Sequence, residues 1–347
     1  MTYKELPIPH NYNEEKVSEV WRIDYRELSK RARAWAKEHK LRAAPEDKKT
    51  ICLLLVDCQN TFCTPGYELF VAGRSGNGAV EDSKRICKFI YRNLGIISNM
   101  IVSMDTHKIM HVFHPFFLVD SDGNHPAPMT IVSLEDVESG KWMVNPDVAK
   151  NIPGKDYDSL QRFLNHYCKE LEKNEKLQLM IWPYHSMLGG IGHALVSAIE
   201  EALFFYGIAR KRQPEIEIKG ENQLTENYSI FRPEVTEDEK KQPIASENKP
   251  FFDNLLSHDR IVVAGQAKSH CVAWTVEDLL AEIKSRDPDL ARKIYLMEDC
   301  SSPVVIPDVV DFTEKADEAF QKFSDEGMNL VKSTEPVASW PGMDFLK

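Results

Sequence analysis

Residues 51–57 read ICLLLVD, an unbroken apolar run closed by an aspartate. A short segment that is apolar at every position, without polar alternation, is the pattern of a strand buried on both faces of a parallel sheet. Five further runs follow: IISNMIVSMD (96–105), EIEIKG (215–220), RIVVAG (260–265), KIYLMED (293–299) and MNLVKS (328–333). Between most of them lie stretches with helical spacing, VEDSKRICKFIYRNL (80–94), GIGHALVSAIEEALFF (190–205) and CVAWTVEDLLAEIKS (271–285). A fourth, TEKADEAFQKFSDEG (313–327), repeats Ala316, Ala319, Phe320 and Phe323 and stops at a glycine. Strand and helix in alternation predict a parallel sheet with right-handed crossovers, hence an α/β layered fold.

Outside this pattern, residues 12–40 place Val17, Trp21, Leu28, Ala32 and Trp35 at roughly helical spacing among charged residues. The organisation expected is a helical arm over 1–48, one elaborated domain over 49–335 and a tail over 336–347. Two segments interrupt the domain. Residues 112–176 are rich in Pro, Asp, His and aromatics, and 233–252 are polar and proline-bearing, as a surface loop would be.

Composition narrows the function. The 347 residues carry 43 Lys and Arg against 54 Asp and Glu, a formal charge of −11, which suits no phosphodiester backbone and argues against nucleic acid as partner. No apolar run approaches the ~18 residues that would cross a bilayer. The polar start MTYKELPIPHNY lacks the core of a signal peptide. Seven cysteines at irregular spacing, with no CxxC pair, fit neither a disulfide framework nor a zinc finger. The expectation is a soluble, reduced, cytoplasmic protein.

In open parallel sheets reactive groups gather at the carboxyl ends of the strands. The first run ends at Asp57, the second at Asp105 with His107 and His111 close behind, the third at Lys219, and the fourth leads through a glycine into Cys271 at a helix start. Packing alone does not call for an acid, an acid with histidines, a lysine and a cysteine at one edge. Cys271 sits where backbone N–H groups and a helix dipole favour a thiolate, and a neighbouring Lys219 would act in the same direction. Asp57 is placed to accept the thiol proton and return it to a leaving group. Asp105 and His107 form an oxygen-and-nitrogen pair at a strand end, and IWPYHS adds His185; three such ligands suit zinc, iron or manganese. His111, His114 and His193 are competing ligands or plain neighbours that support the ligands. His270, adjacent to Cys271, is set aside as the primary base because neighbouring side chains seldom face one another at a helix start.

Together these blocks resemble the nicotinamidase and isochorismatase-like cysteine hydrolase family over about residues 50–335. VDCQNTF resembles its first-strand motif, IKGENQLTENYSIF its lysine-glycine motif followed by Tyr-Ser-x-Phe, and AGQAKSHCV its nucleophile loop. MDTHKIMH and IWPYHS resemble the Asp-x-His and Trp-Pro-x-His metal segments of the nicotinamidase branch. The resemblance implies a three-layer α/β/α fold with a six-stranded parallel sheet. It also implies a catalytic set of Asp57, Lys219 and Cys271 and metal ligands Asp105, His107 and His185. A cis peptide between Gln266 and Ala267 and an oxyanion hole from the N–H groups of Ala267 and Cys271 come with it. Phe62, Gln266 and Tyr228 are the pocket residues it suggests. The implied activity is hydrolysis of nicotinamide or a close pyridine carboxamide to the acid and ammonia, within pyridine nucleotide salvage. The implied cofactor is a divalent ion, zinc first, with iron or manganese as alternatives, and the implied assembly is a homo-oligomer. Three positions depart from the family pattern: Thr106 replaces an aromatic, Ser186 a cysteine and Ser269 an acid. Alternatives are hydrolysis of another amide or carbamoyl compound, and a catalytically idle metal-binding homologue.

Overall fold

The computed structural model describes residues 3–173 and 178–347. All six apolar runs are strands: β1 Ile51–Val56, β2 Ile97–Asp105, β3 Glu215–Lys219, β4 Arg260–Gly265, β5 Ile294–Met297 and β6 Asn329–Val331. They form one sheet in the order β6-β5-β4-β1-β2-β3, parallel at every pairing. The central β1 sends Cys52, Leu54 and Val56 into one apolar core and Ile51, Leu53 and Leu55 into the other, which is why it contains no polar residue.

Helices α1 Tyr25–Glu38, α2 Gly78–Arg92 and α4 Ser197–Arg210 cover one face of the sheet. Helices α3 Tyr157–Lys173, α5 Ala273–Arg286 and α6 Thr313–Asp325 cover the other. The result is a three-layer α/β/α fold. Residues of the arm (Val17, Leu28, Ala32) and of the tail (Val337, Trp340, Leu346) are buried in the same core as α2 and α4.

Several local readings need correction. The helical pattern over 12–40 is split: helix α1 begins only at Tyr25, where Asp24 accepts the Glu27 N–H at 3.0 Å, and the buried Val17 lies before it. The pattern over 190–205 starts late, at Ser197, because the backbone of 190–196 is used elsewhere. There Gly192 and Ala194 carbonyls accept the N–H groups of Thr61 and Asn60 at 2.9 and 2.8 Å. Edge strand β3 inverts the usual sense of its alternation. Ile216 and Ile218 face solvent, while Glu215 accepts from Asn99 and Asn254 at 2.9 and 2.7 Å and Glu217 from Asn248 at 3.2 Å.

Both interrupting segments are built structure. Within 112–173, Leu118–Val119 pairs with Met143–Val144, Ile131–Val132 pairs with Leu179–Met180, and α3 buries Leu160, Phe163, Leu164 and Tyr167 in the core; residues 174–176 fall outside the described residues. The segment 233–252 is no free surface loop, since Glu234, Val235 and Asp238 are buried and a helix, Lys249–Leu256, begins inside it.

The turn out of β4 depends on a missing side chain. Gly265 has φ +120°, and a Cβ there would lie 2.0 Å from the Val56 carbonyl oxygen of the neighbouring strand. Gly265→Ala should therefore destabilise the fold by roughly 3 kcal/mol or more, read as a drop in the urea midpoint, because neither backbone can move aside. A midpoint within error of the wild type would contradict this account of the turn.

Candidate active site and metal centre

Parallel strands end at one edge, so β1 to β4 deliver their terminal residues to the same place. Asp105 and Lys219 are register partners across β2 and β3, and Val56 is the partner of Gly265 across β1 and β4. Beyond β1, Asp57 adopts a left-handed backbone at φ +47° and is fully buried. Its conformation is held by Ser103, whose hydroxyl accepts the Asp57 N–H at 3.0 Å and donates to Asp57 Oδ1 at 2.5 Å. Beyond β4, the Gln266–Ala267 peptide is cis. A single wide turn over Lys268–Val272, in which Val272 N–H reaches the Ala267 carbonyl at 3.1 Å, then carries Cys271 into α5. The Ala267 N–H has no partner among the described residues.

Lys219 joins these pieces. Its Nζ lies 3.0 Å from Asp57 Oδ2, 2.8 Å from Asp105 Oδ1, 2.8 Å from the Asn227 carbonyl and 3.6 Å from Cys271 Sγ. Burial works against its charge, but Asp105, Asp57 and Cys271 together raise its pKa well above the ordinary lysine value, so it is an ammonium. Burial pushes the Asp57 carboxyl up, against the pull of Lys219. Asp105 is held well below the usual carboxylate range, although burial opposes its ionisation, and the Lys219 ammonium is the cation that faces it.

The sulfur departs from expectation. Burial pushes the Cys271 thiol well above its ordinary pKa, Lys219 draws it down, and Asp57 and Asp105 push it up again. Helix and ammonium do not leave a resting thiolate. The resting form is a thiol whose proton faces Asp57, an acid itself raised toward holding one.

Beside Lys219 stands a histidine cluster. Nδ1 of His107 donates to the His185 carbonyl at 3.2 Å, Nδ1 of His185 to the Pro183 carbonyl at 2.8 Å and Nδ1 of His114 to the Lys108 carbonyl at 3.0 Å. In each neutral ring this leaves Nε2 as a lone pair. Two of these lone pairs face Asp105, His107 Nε2 at 3.1 Å from Oδ1 and His185 Nε2 at 3.6 Å from Oδ2. The third, His114 Nε2, is buried without a partner. Burial lowers the His107 pKa to about 3 and that of His114 to about 2, so neither ring supplies a proton to relieve the crowding. Acceptors gathered around a carboxylate with no donor among them fit a cation, and the ligand atoms of the three histidines lie within 4.8 Å of one another.

His107 and His185 thus come together with Asp105 as expected. His114, weighed as a competing ligand or a plain supporting neighbour, is a full member of the cluster. His111 is not, because its Nε2 lies 2.8 Å from the Gly220 carbonyl and its Nδ1 meets Lys108 backbone atoms. His193 turns to Thr106 Oγ1 at 2.9 Å. Gly220, at φ +84°, keeps the space open: a Cβ there would lie 3.1 Å from His107 Nε2.

Asp105, His185, Lys219 and Cys271 line a cavity of about 520 Å³, together with Phe62, Trp182 and Tyr228. Its far walls come from Pro128 and Met129 of the first interrupting segment and from Val304–Pro307. Gln266 does not line it. That side chain donates to Asp82 at 2.8 Å and accepts the Ser302 N–H at 3.3 Å. Gln59 is a positioning residue that sequence reasoning passed over, although it sits in the first-strand motif. Its Nε2 donates to the Asp105 carbonyl at 2.9 Å and its Oε1 accepts the Asp105 N–H at 2.8 Å, fixing the end of β2.

No family model and no curated protein matches the chain. Solved structures do. The yeast nicotinamidase Pnc1p bound to the inhibitor nicotinaldehyde aligns at 17% identity and TM-score 0.50, covering 82% of this chain and all (100%) of that one. An Acinetobacter baumanii nicotinamidase and pyrazinamidase aligns at 17% identity and TM-score 0.48, covering 83% of this chain and 99% of that one. A Pyrococcus horikoshii pyrazinamidase in complex with zinc aligns at 15% identity and TM-score 0.41, covering 81% and 98%. At such identities the likeness to the yeast enzyme establishes a common fold, and the chain has the fold of the nicotinamidases.

The electrostatics give two expected outcomes. Removing the Asp57 charge favours the thiolate, so in Asp57→Asn the pH midpoint for iodoacetamide alkylation of Cys271, followed by mass spectrometry, moves down by roughly one unit; an unchanged or higher midpoint counts against the arrangement. His114→Ala should weaken zinc binding at least about tenfold in competition with a chromophoric chelator, whereas His111→Ala has a smaller effect. Equal loss in both variants would assign the effect to packing.

Proposed function

We propose that the chain is a cysteine amidohydrolase of the nicotinamidase family that converts nicotinamide, or a close pyridine carboxamide, to the carboxylic acid and ammonia. The observation carrying this reading is the buried Lys219 ammonium within 3.0 Å of Asp57 and 3.6 Å of Cys271 Sγ, at the wall of a cavity that also reaches a histidine cluster.

The chemistry follows from the proton positions. Cys271 starts as a thiol, and Asp57 takes its proton as the sulfur attacks the amide carbon. Lys219 stays an ammonium and stabilises charge on both partners while the proton moves. The backbone N–H groups of Ala267 and Cys271 receive the oxyanion. Asp57 returns its proton to the departing nitrogen, ammonia leaves, and a thioester remains. Water then attacks the thioester, giving up a proton to Asp57, and the acid departs as the thiol is restored.

His107, His114 and His185, with Asp105 between them, are the residues that would hold a divalent ion, which offers an electron-pair acceptor to a ring nitrogen. Zinc suits an imidazole-rich set, with iron or manganese as alternatives. Phe62 and Trp182 offer flat apolar surface to an aromatic ring. Such a substrate is a small molecule, and no described helix is long and apolar enough to cross a membrane.

Ammonia release from nicotinamide tests the reading directly. The wild type should turn over, Cys271→Ala should lose at least about three orders of magnitude in kcat/KM, and a chelator should lower wild-type activity reversibly. Alkylation of Cys271 without loss of activity, or full activity in Cys271→Ala, would overturn the mechanism.

A further inference from the structure

Strand β3 closes one edge of the sheet, and its outer side is bare. The Thr106 N–H donates to the Lys219 carbonyl at 2.9 Å, so Lys219, and with it Glu217 and Glu215, turn their backbone groups toward β2. Alternation points the N–H and C=O groups of Ile216 and Ile218 the other way, and among the described residues no other backbone group bonds them. The side chains of these two residues are 47% and 50% exposed, and among the described residues they are the large apolar side chains of the six-stranded sheet that stand open to solvent. Beside Ile216 runs a groove of about 390 Å³ whose walls include Tyr25, Leu203, Phe204 and Ile208.

An open edge that carries apolar side chains is a template for another strand, and sheets that stay apart blunt such edges with charge, proline or a cover. On β3 the charges are withdrawn instead. Glu215 is tied to Asn99 and Asn254, and Glu217 to Asn248, which leaves the isoleucines on the opposite face.

The ends of the strand say what pairs with it. Arg212 is already bonded to Glu215 at 3.1 Å. Lys211 at the entry of β3 and Glu221 beyond its exit are exposed, and neither is in an ion pair among the described residues. Turning a copy of the chain by half a revolution about an axis normal to the sheet runs the two β3 strands antiparallel. Both sets of isoleucines then share one face, and the basic entry of each strand meets the acidic exit of the other. A parallel copy would set like charge against like.

We propose that the outer edge of β3 is a self-association surface, where a second copy of this chain adds its own β3 antiparallel and joins two six-stranded sheets into one. The backbone groups of Ile216 and Ile218 supply the hydrogen bonds, the isoleucines and the groove beside them the apolar contact, and Lys211 with Glu221 the direction. The strand so braced is the one that ends in Lys219.

Light scattering during size exclusion should give the wild type a mass twice the 39.8 kDa of the chain. Ile216→Lys changes an exposed side chain and should weaken dimerisation at least about tenfold by sedimentation equilibrium, with the far-ultraviolet circular dichroism unchanged. Lys211→Glu and Glu221→Lys should each weaken it as well, since each sets two like pairs across the axis. Mixing those two variants restores both ion pairs in a heterodimer, so the mixture should dimerise more tightly than either variant alone. A wild type that remains monomeric gives the edge to a strand of some other protein and overturns the assignment. So does a dimer indifferent to Ile216→Lys, or a pair of charge variants that gains nothing on mixing. None of these readouts depends on amide hydrolysis.

Discussion

One buried ammonium ties the site together. Lys219 is the cation shared by Asp57 and Asp105, all three side chains being at most 5% exposed, and Cys271 lies at its remaining approach. Two carboxylates could not both ionise here without it, since burial alone penalises each. With it, one acid is drawn well below its usual range while the other is left raised, so neighbouring residues of identical chemistry acquire opposite proton affinities. A base that can hold a proton and an anion that faces a cation site are therefore two outcomes of one arrangement.

That arrangement leaves a surplus of electron pairs. Asp105 already satisfies Lys219, yet two imidazole lone pairs point at it and a third stands unpartnered nearby. The neighbouring backbone is shaped to keep this space clear, with Gly220 where a Cβ would press on His107 and Gln59 holding both backbone groups of Asp105. Rigid positioning of this kind matters because charges in a low-dielectric pocket interact strongly and tolerate little displacement. The cavity wall, in contrast, is assembled from loops of distant origin, around residues 62–72, 128–129 and 304–307.

How much could be read beforehand differs by the kind of interaction. The strands were legible because most are short and largely apolar and because burial on both faces of β1 admits nothing else. The helix predicted from residue 190 was misplaced by seven residues, since the amphipathic pattern is blind to backbone groups of 190–196 bonding Asn60 and Thr61. On β3 the alternation was visible but its direction was not: whether Ile or Glu faces inward depends on Asn99, Asn248 and Asn254 standing opposite. His114 and His111 were equivalent on the page. They were separated by which of their nitrogens the backbone of Lys108 and Gly220 engages.

The sequence by itself determined the class of sheet and the edge at which Asp57, Asp105, Lys219 and Cys271 meet, because parallel strands place their carboxyl ends together whatever the loops do. Tertiary structure alone decided the protonation of the sulfur and the membership of the histidine cluster. Those properties depend on desolvation and on hydrogen-bond partners a few ångströms away through space, contributed by segments whose nearness no local pattern records.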